Sequence, residues 1–330
     1  MDQKKKRLPY VRGSVSTGRA VSSLLVLVLA AGLLSGCRSG DAHARIDPAL
    51  APLIPSDTKM LAGFRLDKLK NTPFYKTYVE GKKIPQLEDF AHRTGLDPRK
   101  DLWELLMATN GKRVLVFARG KFGEVFGLEP KIQIEGMRRL NYKSFPVYAT
   151  GDQGLMFLQS GVAVVGPVEG LYAIVDNRDN AKEAPPQALL DLVGTLPGSA
   201  QFWVVTNDGG AFLPERQISG NMANFYRLAT ALRRFTLTAD LSQGLDLQID
   251  GVYPDAAMAK QAQDALRGFI GLGRMTTPDD QPELLRLYDG IRVQQKESEV
   301  TVHAQAPFSL LEQVREKLPG WQAQRPTVAP

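Results

Sequence analysis

An α+β fold is what this sequence predicts: antiparallel sheets of short strands flanked by helices, with the outline of two related halves. Three observations carry it. Short apolar runs follow one another between glycines, as at Phe145–Thr150, Leu155–Gln159 and Val162–Val165, and strands this close together form a meander. Helix-opening signals recur beside them, with Thr72-Pro73, Asp97-Pro98, Pro254-Asp255 and Pro307 each preceding an apolar stripe. Two strand pairs also sit across tight polar turns, at Ser242-Gln243-Gly244 and Glu297-Ser298-Glu299.

In chain order, Thr58–Leu66 reads as a strand. Thr72-Pro73 opens a helix whose stripe holds Phe74, Tyr78 and Val79, and a second helix spans Pro85–Arg93 and stops at Gly95. Asp97-Pro98 repeats the cap signal, and Leu102, Leu105 and Leu106 recur at helical spacing behind it, so a helix is expected there. Lys112–Arg119 is a strand, the meander follows, and a helix over Pro167–Asp176 closes the block. The second half repeats this grammar. A strand lies at Gln201–Thr206, a helix at Asn221–Leu232, and a hairpin joins Phe235–Leu241 to Leu245–Val252. In the latter strand Leu245, Leu247 and Ile249 face one way and Asp246, Gln248 and Asp250 the other. A helix follows with Met258, Ala262, Ala265, Leu266, Phe269 and Ile270 on one face. Gly268, Gly271 and Gly273 then read as its exit. The hairpin Ile291–Lys296 with Val300–Ala306 and a last helix with Leu311, Val314 and Leu318 complete the fold.

The polar, proline-rich stretch Asp179–Pro186 is the best internal boundary. It divides an N-terminal half, residues 51–180, from a C-terminal half, residues 187–320, with a tail at 321–330. Ile54-Pro55-Ser56-Asp57 before the first strand mirrors Leu196-Pro197-Gly198-Ser199 before the strand at Gln201, which hints at an internal duplication. Two related lobes would leave a cleft between them, a common place for a ligand.

The N-terminus is an address. Lys4, Lys5, Lys6, Arg7, Arg12 and Arg19 precede an apolar run at Val21–Leu34, as in an export signal. As a helix those 14 residues reach only about 21 Å, short of the ~30 Å hydrocarbon core. Leu34-Ser35-Gly36-Cys37 closes the run, and Cys37 is the only cysteine. This arrangement resembles the lipobox of bacterial lipoproteins. The resemblance implies a signal peptide over residues 1–36, cleavage directed by Leu34, Ser35 and Gly36, and a diacylglyceryl group on Cys37. Residues 37–50 then read as a lipidated tether. Arg38 follows the cysteine where an aspartate would imply retention at the inner membrane, so the resemblance implies the outer membrane facing the periplasm.

Cleavage changes the charge balance. Residues 1–37 hold six of the 41 lysines and arginines and one of the 35 acids, leaving 35 basic against 34 acidic residues. The basic pairs Lys82-Lys83, Arg138-Arg139 and Arg233-Arg234 are isolated, so nothing matches the concentrated basic surface that nucleic acid requires. With no cysteine after Cys37, disulfides and thiolate chemistry are excluded from the mature body.

The sequence offers little to a catalyst. His43 falls in the tether, His92 near a helix C-terminus and His303 in a strand, and no HExxH or GxSxG occurs. Ser56-Asp57-Thr58-Lys59 and Ser219-Gly220-Asn221 match two elements of penicillin-recognising enzymes. The third is missing, and Ser56 precedes a strand where a nucleophile of that kind opens a helix. Asp246 with Asp250 could bind a divalent cation or do acid–base work, but alternating polar residues on an antiparallel strand are usually just its wet face. Trp103, Trp203 and the Phe74-Tyr75-Tyr78 cluster are candidates for the wall of an apolar pocket or for ordinary core. No catalytic, metal or cofactor-binding residue is assigned. The expectation is a membrane-anchored envelope lipoprotein acting as a non-catalytic binding or structural module on another envelope component, with an envelope protein or a hydrophobic ligand as its partner. A carrier of a hydrophobic ligand, with an apolar cavity, and a carboxylate-dependent hydrolase are the alternatives.

Overall fold

Met60–Arg65 is small and apolar at its start, with four of its six residues buried, and it forms the strand on which the architecture is laid, β1. A computed structural model describes residues 43–94, 96–122, 136–159, 161–180, 183–209 and 221–317. In it β1 pairs antiparallel with β2 (Leu102–Thr109) on one side and β8 (Phe202–Thr206) on the other. Beyond β2 come β3 (Val114–Gly120), β7 (Val162–Pro167), β6 (Gln153–Gln159), β5 (Phe145–Thr150) and β4 (Arg138–Tyr142). Beyond β8 come β9 (Arg234–Asp240), β10 (Leu245–Val252), β12 (Glu299–Ala306) and β11 (Ile291–Lys296). These strands make one twelve-stranded antiparallel sheet, and with the helices on it the fold is α+β.

The strand order repeats about the β1–β8 pair. On each side three sequential strands are neighbours (β1-β2-β3 and β8-β9-β10), and a later strand, β7 or β12, docks beside the third. The register has the same symmetry. Placing Met60 on Phe202 and Phe64 on Thr206 exchanges the pair Met60↔Thr206 with Phe64↔Phe202 and leaves Ala62↔Val204 on itself. An approximate two-fold axis therefore passes through Ala62 and Val204. The same superposition matches Ile54-Pro55 to Leu196-Pro197.

Helices cover the sheet unevenly. On one face of the first half, α5 (Val168–Asn180) and α6 (Gln187–Val193) bury Leu106, Leu115, Phe117, Val164 and Trp203 in the largest core. The opposite face of that half meets α1 (Leu66–Leu69), α2 (Pro73–Tyr78), α3 (Pro85–Thr94) and α4 (Pro98–Asp101), with a small core at Leu96, Leu102, Phe122 and Ala163. On the second half α7 (Asn221–Thr230) and α8 (Ala256–Met275) enclose Leu228, Tyr253, Ala259, Ala262 and Val293, and α9 (Pro282–Asp289) and α10 (Phe308–Lys317) follow at the β11–β12 edge. The other side of β9, β10 and β12 is polar, with Asp246 bonded to His303 and Gln305, and Asp250 to Thr301.

Three expectations are corrected. Leu102, Leu105 and Leu106 lie in strand β2, not in a helix: Asp97 does cap, accepting from the Arg99 N–H at 3.0 Å, but α4 ends at Asp101. Residues 43–50 are not free tether. Ala44 and Leu50 are buried in the main core, His43 forms a β-bridge to Pro197, and the Ala44 N–H donates to the Leu196 carbonyl at 2.9 Å. Gly268, Gly271 and Gly273 are not a helix exit, since α8 continues to Met275 and Gly273 gives room to the Tyr288 ring. Leu34, Ser35, Gly36, Cys37 and the tail at 321–330 lie outside the described residues.

Candidate functional site

The aromatic cluster at Phe74 and Tyr78 is set by a local cap. The Thr72 hydroxyl oxygen accepts from the Tyr75 N–H at 3.2 Å, and its proton goes to the Leu69 carbonyl at 2.7 Å. With Pro73 at the first helical position, α2 starts there, and Phe74 and Tyr78 fall one turn apart on one face. Their rings lie 5.1 Å apart, and Phe308 of α10 approaches Phe74 at 5.9 Å. Tyr75 turns away and is buried.

Between this cluster, α9, α10 and the end of the sheet lies a cavity of about 520 Å³. Phe74, Tyr78, Phe308 and Leu311 supply its helical wall, Leu245 and Ala304 its floor, and Gln305 and Glu312 are the polar residues at its boundary. Its size and largely apolar lining are those of a small-molecule site. A second apolar cavity, of about 570 Å³, lies under α3 on the first half of the same face, against Phe90, Leu105, Val116 and Phe157. A polar hollow of about 440 Å³ adjoins the first cavity, sharing Leu245 and Ala306 with it and holding Asp240, Ser242 and Asp246.

Asp246 is the direct cross-strand partner of Asp240. Two acids on one face are what acid–base catalysis would need, and both are engaged by hydrogen bonds here. The Asp240 carboxyl is held below the usual carboxylate range: burial opposes ionisation, and hydrogen bonds from Ser242, Ser199 and Gln201 outweigh it. Asp246 accepts from Gln305 at 2.9 Å and sits 2.8 Å from His303 Nε2. The lysine of the Ser56–Lys59 match is also engaged elsewhere, with Lys59 Nζ 2.9 Å from Asp208, while Ser56 donates to Glu183. Among the described residues no three or more His, Asp or Glu side chains are grouped to hold a metal ion. No described helix is long and apolar enough to cross a membrane.

Trp203 and Trp103 do not line either apolar cavity. Trp203 is wholly buried in the main core, and Trp103 lies under the Arg119 guanidinium at 5.3 Å. Of the aromatic candidates only Phe74 and Tyr78 reach the cavity; Phe308, which completes the wall, was announced only by the helix-opening Pro307 before it.

One buried ionisable group lies apart from the cavities. Glu104 is 3 % exposed, and its register partners are Arg65 on β1 and Arg119 on β3. It receives the Asp47 N–H at 3.3 Å and lies 3.7 Å from Arg65 Nε. Burial lifts its pKa to about 7. The Arg65 charge and the Asp47 N–H oppose that rise, while the Asp47 and Asp67 charges reinforce it.

No family model and no curated protein matches the chain. Among solved structures the chain is similar to crystal forms I, III and IV of TP0453. Sequence identities are 11 %, 12 % and 10 %, and TM-scores 0.45, 0.49 and 0.43. The matches cover 83 %, 83 % and 84 % of this chain and 98 %, 99 % and 98 % of the others.

Proposed function

We propose that this protein is an envelope lipoprotein, acylated on Cys37, whose body binds a ligand bearing an apolar chain. The observation that carries the ligand is the cavity of about 520 Å³ between α2, α9, α10 and the sheet. Its volume lies in the range of small-molecule sites and its lining is largely apolar, which supports a ligand with an apolar chain. The address supports the anchor: a basic start, a 14-residue apolar run too short to span, and one cysteine in a lipobox context. An amide-linked chain added to the diacylglyceryl group gives durable attachment, since each buried CH₂ contributes roughly 0.8 kcal/mol.

Native mass spectrometry of the full-length, detergent-extracted protein beside a Cys37→Ala chain tests both parts. Acyl mass on the wild type alone is expected for the anchor, and its absence would sink the lipoprotein reading. Releasable mass of lipid size on both chains is expected for the cargo. A Cys37→Ala body that emerges bare from cells and takes up no apolar dye would return the protein to the scaffold reading.

A further inference from the structure

We propose that residues 43–49 form a strap that closes over Glu104 when its carboxyl is protonated and opens when it is ionised, a pH-responsive device built into the end of the sheet. The inference stands apart from the lipid on Cys37 and from the ligand in the cavity.

The strap crosses four strands in the order in which the sheet sets them, β8, β1, β2 and β3. His43 and Ala44 pair with Pro197 and Leu196, just ahead of β8. The Arg45 carbonyl accepts from Arg65 Nη1 at 3.3 Å, at the end of β1. Asp47 donates its N–H to Glu104 on β2 at 3.3 Å, and its carboxylate accepts from Arg119 Nε on β3 at 3.2 Å. Leu50, wholly buried, fixes the far end. Between these points the strap contributes little to the core, since Ala44 is the one buried residue of the seven. Polar contacts hold it down, so it can lift at a small cost in apolar area while the sheet stays folded.

Glu104 lies beneath the strap, 3 % exposed, and among the described residues the Asp47 N–H is the one donor within hydrogen-bond distance of it. Arg65 from β1, Arg119 from β3, Asp47 from the strap and Asp67 from α1 are the charged groups that face it. Each arginine is shared with another carboxylate. Arg65 Nε stands 3.7 Å from Glu104, while Arg65 grips Asp67 at 3.0 and 2.8 Å. Arg119 is turned to Asp47 and to the Gly161 carbonyl, the latter at 2.6 Å. A buried carboxylate with so few donors of its own is costly to ionise. Burial accordingly lifts the Glu104 pKa from 4.5 to about 7, with the Arg65 charge opposing. An open strap admits water and returns the group toward its ordinary range. The closed form therefore holds a proton that the open form releases. Closure is favoured in full below about pH 4.5 and weakens as pH climbs through 7.

Hydrogen exchange of the full-length, detergent-extracted chain tests this, read by mass spectrometry from pH 5 to 8 and divided by the intrinsic rate at each pH. Residues 43–49 are expected to exchange faster than the β1–β8 ladder at every pH, at rates that low urea leaves unchanged. Their protection should fall roughly tenfold per pH unit between pH 5 and 7. In Glu104→Gln, which keeps the shape of the side chain and removes its titration, protection of the strap should be the same at every pH. Flat protection of residues 43–49 in the wild type overturns the proposal without any variant. Strap exchange that matches the ladder's and rises as steeply with urea also overturns it, because the segment then opens only with the whole fold. A Glu104→Gln chain that keeps the wild-type slope overturns it by giving the proton to another group.

Discussion

The indole of Trp203 lies directly on Gly63, its cross-strand partner: a Cβ placed on that glycine would sit 2.2 Å from Trp203 Cε2. The contact falls one residue from the two-fold axis, where the β1–β8 ladder and the core beneath it join the halves. Gly63→Ala must therefore push a fully buried ring out of place and is expected to destabilise the protein by about 1–3 kcal/mol or more. Trp203→Ala should cost about 3–5 kcal/mol through the cavity it leaves. Trp203→Phe should cost much less than Trp203→Ala, because the indole Nε1 has no hydrogen-bond partner to lose. Chemical denaturation of the three variants checks the order; a Trp203→Phe as damaging as Trp203→Ala would refute it.

Glu104 makes stability fall as pH rises. Its pKa is about 7 in the fold against an ordinary 4.5, so between those values the native state binds the extra proton. The stabilisation is complete below about pH 4.5 and is lost as pH climbs through 7. The shift corresponds to about 3 kcal/mol. Asp97 and Asp240 are shifted the other way, so their contributions vanish only at more acidic pH, outside this window. Glu104→Gln should flatten the slope between pH 5 and 7 and leave the protein more stable than wild type at pH 8. An unchanged slope in urea titrations would refute the assignment.

The same residue explains what the sequence concealed. β2 buries alternate residues, Leu102, Glu104, Leu106 and Ala108, but a carboxylate in the second position breaks the apolar alternation that announces a strand. With Asp97-Pro98 in front, Leu102, Leu105 and Leu106 then imitate a helix. Most other strands were legible because their buried positions carry apolar side chains. Two elements carried no such signal: β4 is polar along its length, and α6 has no side-chain cap at its start. The Phe74–Tyr78 side of the cavity was legible from the Thr72-Pro73 cap. Its far wall was not, because Phe308 and Leu245 come from segments more than 160 residues away in the chain, and only tertiary structure brings them together.

Asp47 is the clasp of the N-terminal segment. Its Oδ1 accepts from the Ala49 N–H at 2.8 Å, its Oδ2 lies 3.2 Å from Arg119 Nε, and its own N–H reaches Glu104. Asp47→Ala removes the two carboxylate contacts and leaves Arg119 beside a half-buried strand end. The expected loss is about 1–2 kcal/mol, felt most by residues 43–50. Limited proteolysis should open that segment first, while the rest of the body keeps wild-type hydrogen-exchange protection. Equal loss of protection throughout the sheet would mean that the segment and body unfold as one unit.

Ala304 lines the cavity together with Phe74 and Phe308 and is only half-buried, so it can be enlarged where core residues cannot. Added methylenes in a filled core cost about 1–3 kcal/mol, whereas in an existing cavity they gain contacts without displacing neighbours. Ala304→Leu is therefore expected to change stability by less than about 1 kcal/mol and to weaken binding of an uncharged, environment-sensitive apolar dye several-fold. Ala118→Leu in the second cavity, at a half-buried position, serves as the comparison: it should spare dye binding if the site bounded by Phe74 and Phe308 is the one that holds the ligand. Loss of binding only in Ala118→Leu would move the ligand to the cavity under α3, and loss in neither would remove both cavities from the function.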